Sequence, residues 1–114
     1  MLIGAAAVKL AACTDAMEPN NARYAAHAAS GTVNGLRICA SDDDWFAIAA
    51  GGTVRVEFTH ASGDLDVQAF DAQGNRVAAS EGTSNVEQVT VPAGGTVRVF
   101  GYSGATNTYR LIAP

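Results

Sequence analysis

From residue 32 to the end of the chain, apolar and polar residues alternate with a period of two, and no stretch shows helical spacing. Such alternation places successive side chains on opposite faces of an extended backbone, so the pattern commits the chain to strands with one buried face. Strands are expected near 35–39, 45–49, 53–59, 64–71, 76–80, 85–91, 96–102 and 108–112. Between them stand "SGD" (62–64), "DAQGN" (71–75), "EGTSN" (81–85) and "PAGG" (92–95), where Asp and Asn cap turns and Gly supplies the positive φ of hairpins. The expected fold is all-β, an antiparallel β-sandwich of jelly-roll type with about eight strands. Residues 13–114 are assigned to the sandwich and 1–12 to an apolar leader or assembly segment.

The heptapeptide "AGGTVRV" occurs at 50–56 and again at 93–99, with different flanks: "DDDWFAIA" before the first copy and "NVEQVTVP" before the second. A solenoid would repeat a whole unit. The expectation is therefore two edge-like strands entered by the same Gly-Gly turn, with Val facing the core and Arg facing water.

At 114 residues the chain suits one domain with its own core. A 48% share of apolar and aromatic residues, with 16% charged and twelve glycines, excludes disorder and fits a turn-rich β domain. Seven basic against eleven acidic residues give a net charge of -4, and Arg55, Arg76, Arg98 and Arg110 are scattered singly. No nucleic-acid footprint results. The leader "MLIGAAAVKLAA" is too short to span a membrane, lacks a positive start and is interrupted by Lys9, so it is expected to pack against a surface. Cys13 and Cys39 form no CxxC pair and have no His at ligand spacing, which leaves a disulfide as the leading reading and points outside the cytoplasm. "LAAC" at 10–13 keeps lipidation of Cys13 as the alternative.

Two segments concentrate oxygen donors: "EPNN" with Glu18, Asn20 and Asn21, and "SDDDW" with Asp42, Asp43 and Asp44. Hard oxygen ligands suit calcium, which accepts irregular geometry; the alternative is a solvated acidic turn beside a linker. Three adjacent carboxylates repel one another and need a counter-charge.

Taken in order, "MEPNN", "GLRICASDDDWFAI", "GDLDVQAFDAQGNRVAAS", "AGGTVRVFGY" and "YRLIA" resemble the bacterial pre-peptidase C-terminal domain, a β-sandwich attached to secreted peptidases and similar to the collagen-binding domains of clostridial collagenases. The resemblance spans residues 13–113. It implies a calcium site built from Glu18, Asn20, Asn21, Asp42 and Asp44, with Asp43 pointing the opposite way, and it supports a Cys13–Cys39 bridge. It also implies a bound cation as the counter-charge of the acidic run, and a core position for Trp45. Tyr102 is the nearest candidate for an exposed aromatic contact, Tyr109 looks structural, and no aromatic stripe is visible, so collagen binding is not expected.

Catalysis is not expected. His27 and His60 lie in no recognisable motif, GxSxG, HExxH and phosphate loops are missing, and the pair Asp64 and Asp66 belongs to a strand-and-turn pattern. The expected function is a secreted bacterial, calcium-binding accessory module that binds a protein partner, including an attached or associated secreted peptidase. The rival is a self-assembling subunit, an oligomer or filament in which Leu2 to Val8 adds a strand to a neighbouring sandwich.

Overall fold

The computed structural model describes residues 26–39 and 42–114. The leader 1–12, Cys13, Glu18, Asn20 and Asn21 lie outside the described residues, and with them the expectations placed on them.

Among the described residues there are nine strands in two sheets: β1 (His27–Ala28), β2 (Thr32–Ile38), β3 (Asp44–Ile48), β4 (Gly52–Glu57), β5 (Leu65–Phe70), β6 (Arg76–Ser80), β7 (Val86–Val91), β8 (Gly95–Gly101) and β9 (Asn107–Ile112). A five-stranded sheet runs β1-β3-β8-β5-β6 and a four-stranded sheet runs β2-β9-β4-β7. Every expected strand is present, with ends displaced by at most three residues. The ninth, β1, is a two-residue strand that pairs with β3 in parallel and carries too little pattern to be seen in sequence. β2 starts three residues early because a register shift between Val33 and Leu36 carries it past Gly35, whose φ of 73° suits such an irregularity.

The inward residues of both sheets fuse into one core, in which Leu36, Phe46, Val54, Leu65, Val97 and Leu111 are wholly buried. Each such side chain contributes about 1.5–3 kcal/mol, so the alternation seen in the sequence is also the main source of stability.

The two "AGGTVRV" copies are not edge strands. β4 lies between β9 and β7, and β8 lies at the centre of the other sheet. Val54, Val56, Val97 and Val99 do face the core. The two Ala-Gly-Gly turns meet: Gly94 N–H donates to Ala49 O at 3.0 Å, and a Cβ on Gly51 would stand 2.6 Å from Ala93 N. Gly51 has φ of 69°, so that close approach needs glycine twice over. The duplication serves one turn-on-turn contact that closes this end of the sandwich.

The turns also depart from expectation. Only "DAQGN" makes a hairpin, joining β5 to β6. There Asp71 Oδ1 accepts from the backbone N–H of Gln73 at 3.0 Å and of Asn75 at 2.8 Å, and these bonds, Asn75 first, hold the Asp71 carboxyl below its usual range. The other three turns carry the chain from one sheet to the other.

Candidate functional site

The acidic run is resolved by strand alternation. Asp42 N–H donates to Cys39 O at 3.0 Å, turning the chain from β2 toward β3. Asp44 then opens β3 on its inward face at 0% exposure, and the Tyr109 hydroxyl, reaching across from β9, donates to its Oδ2. A carboxylate so placed costs several kcal/mol unless hydrogen-bonded, so Tyr109 is a structural requirement of Asp44 as well as a core residue.

Asp43 turns the other way, as the resemblance implies. Arg98 of β8 meets its Oδ2 with Nε at 2.8 Å and Nη2 at 2.6 Å, donates from Nη1 to Gln68 Oε1 at 3.1 Å, and lies 4.1 Å over the Phe100 ring. The counter-charge of Asp43 is therefore Arg98, which lies on the outward face as expected but is only partly open to water because Asp43 and Gln68 hold it. Register explains it, since Trp45 and Gln68 are the cross-strand partners of Arg98 on its two sides.

Asp42, half-buried, and Asp44, buried, supply hard oxygens of the kind calcium accepts. Among the described residues no group of three or more His, Cys, Asp or Glu is placed to hold a metal ion, and the remaining expected ligands, Glu18, Asn20 and Asn21, lie outside the described residues. Cys39 is half-buried just past β2, and its expected partner Cys13 likewise lies outside them.

Two aromatic expectations change. Trp45 is not core: it is half-buried on the outward face of β3, where its ring meets Phe70 with centroids 4.9 Å apart. With Phe100 on the same outward face, an aromatic stripe exists that sequence reading missed, because its members come from three strands whose adjacency is tertiary. The expectations for the tyrosines hold, Tyr109 being buried and Tyr102 61% exposed.

A second acidic feature lies on this sheet beyond Phe100. An open cleft of about 570 Å³ is lined by Asp64 and Asp66 at the start of β5, Glu81 after β6, and Arg98, Phe100 and Tyr102 along and after β8. Asp66 is only 3% exposed, and among the described residues its Oδ1 has no hydrogen-bond partner. Burial, followed by the charges of Asp64, Glu81 and Glu87, pushes its carboxyl up to about 6. Glu87 stands behind the cleft at 1% exposure, its Oε1 accepting from Ser80 Oγ at 2.8 Å and Gly82 N–H at 3.0 Å, while among the described residues Oε2 has no hydrogen-bond partner. The sequence did carry a signal for Glu87: in "VEQVTV" it occupies the inward phase shared with Val89 and Val91. His60 Nδ1 approaches Asp64 Oδ1 at 3.6 Å, from a short 3-10 turn at His60–Ser62.

With two sheets, a continuous core and outward-facing polar clusters, the molecule is of the antiparallel-rich β-sandwich class. No sequence-family profile matches the chain, and no curated protein matches it by sequence. Among solved structures, the chain has the fold of the pre-peptidase C-terminal domain of collagenase from Bacillus anthracis, at 15% identity and a TM-score of 0.56, covering 85% of this chain and 98% of that one. A weaker likeness, with a TM-score of 0.42 and 17% identity, is to a structure from a study of glycan recognition in the Ruminococcus flavefaciens cellulosome, covering 75% of this chain and 72% of that one.

Proposed function

We propose that this protein is an extracellular, calcium-stabilised binding module without catalytic activity of its own. The observation that carries the proposal is the start of β3, where half-buried Asp42 and buried Asp44 gather hard oxygen donors beside the Asp43–Arg98 pair. A divalent cation is the ligand that such oxygens suit. Glu18, Asn20 and Asn21 complete an oxygen-rich set suited to calcium, and a Cys13–Cys39 bridge ties the same N-terminal segment to the sandwich. The fold shared with a collagenase's pre-peptidase C-terminal domain supports the accessory role and the extracellular setting. The partner is a protein, and an associated secreted peptidase is one such partner.

The test is thermal melting of the metal-free protein in chelator and in excess calcium, with metal content verified. Calcium at about 100 times its dissociation constant stabilises by about 2.7 kcal/mol, which raises Tm by several degrees for a domain of this size. Asp44→Asn should shrink that shift, and Asp71→Asn, in the β5–β6 hairpin, should preserve it. An unchanged wild-type Tm refutes the calcium reading.

A further inference from the structure

We infer that the cleft between the start of β5 and Tyr102 is a receptor for a cationic side chain, the guanidinium or ammonium group of a partner polypeptide. The inference names the partner chemistry of the binding module proposed above and is independent of its calcium.

Among the described residues the cleft holds a buried acceptor without a donor. Asp66 is almost wholly enclosed, it lines the cleft, and its Oδ1 accepts no hydrogen bond. An acceptor in that state is costly unless a ligand supplies the donor. Around it the charge has one sign over most of the wall: Asp64 and Glu81 line the cleft, and Glu87 is enclosed behind Gly82 with Oε2 also lacking a donor. Among the described residues two basic side chains lie nearby, and both are turned to other partners. Arg98 is held by Asp43 and Gln68, and His60 approaches Asp64, carrying charge only when protonated.

The shape separates a cationic side chain from a bare metal ion. A space of about 570 Å³ far exceeds an ion, and among the described residues no three carboxylates or histidines converge closely enough to coordinate one. One wall is aromatic instead. Among the described residues Tyr102 is the most exposed large hydrophobic side chain, and it follows Phe100, whose ring already carries the Arg98 guanidinium at 4.1 Å. A ring beside buried carboxylates is the environment that favours a desolvated organic cation. Ser103, in the short turn Tyr102–Gly104, has φ of 52°, a left-handed conformation that fixes the path of the chain just after Tyr102.

The experiment uses the full chain, labelled for NMR, titrated at pH 7.5 with a blocked Gly-Arg-Gly peptide and with its citrulline counterpart, in chelator and then in calcium. The arginine peptide should move the amide signals of Asp66, Gly82, Phe100 and Tyr102 saturably, and the uncharged citrulline peptide should bind about tenfold or more weakly. Asp66→Asn should weaken the arginine peptide by a similar factor, and Tyr102→Leu by a smaller one, each with a dispersed spectrum that shows the fold intact. Equal response to the two peptides, or full binding by Asp66→Asn, overturns the inference. So does calcium moving these same signals saturably while arginine does not, which would make the cleft a metal site. Because the peptide is titrated without calcium as well, loss of the calcium site leaves this outcome readable.

Discussion

Replacing Asp66 with Asn removes a titratable proton site while keeping the shape of the side chain. In the folded protein its carboxyl is raised from the ordinary 3.8 to about 6, first by burial and then by Asp64, Glu81 and Glu87, with His60 acting weakly in the opposite sense. A raised acid binds more protons folded than unfolded, so its favourable contribution is complete below pH 3.8 and is lost as pH rises through 6. At about 1.36 kcal/mol per pH unit, that interval corresponds to roughly 3 kcal/mol by pH 8, an upper bound because water in the open cleft relaxes the field. Asp66→Asn should therefore match the wild type near pH 3.5 and exceed it by about 1–3 kcal/mol at pH 8. Urea unfolding followed by Trp45 fluorescence measures both, and taking the difference between the proteins at each pH cancels the titration of groups not coupled to Asp66. A difference that does not change with pH, or a variant less stable at pH 8, refutes the reasoning. In that case the Asp66 carboxylate is solvated or paired, and the acceptor without a donor is not there.

Tyr109→Phe deletes the hydroxyl that donates to buried Asp44 and should cost about 1–3 kcal/mol, measured by urea unfolding; a neutral result would mean that this hydroxyl does not support Asp44. Gly51→Ala places a Cβ within 2.6 Å of Ala93 N at a φ of 69°, and should destabilise by about 1–3 kcal/mol or more, seen as a lower Tm, whereas Gly31→Ala, with open space around it, should cost less. The calcium-dependent melting shift and the preference for arginine over citrulline complete the set, the first reporting on the start of β3 and the second on the cleft across β8 from it.

What the amino-acid sequence determined by itself is the local geometry. Period-two alternation in "TVRVEF", "LDVQAF" and "TVRVFG" is imposed by backbone pleating, and turn residues such as Asp71 and Gly74 act within four or five positions, so strands, their inward faces and the places of the turns were legible, but not which turn makes a hairpin. The divergence of Asp43 from Asp44 was legible for the same reason. The neighbours were not. Among the described strand pairs only β5–β6 joins consecutive strands, and the rest are chosen by core packing and chain crossing, for which nothing is encoded nearby in sequence. Hence the two "AGGTVRV" segments became inner strands of opposite sheets, Arg98 found Asp43 from 55 residues away, and Trp45 and Phe70 met on an outward face. The cleft at Asp66 is likewise tertiary: its carboxylates come from β5 and the turn after β6, its ring from beyond β8, and burial of Asp66 exists only once those three segments are side by side.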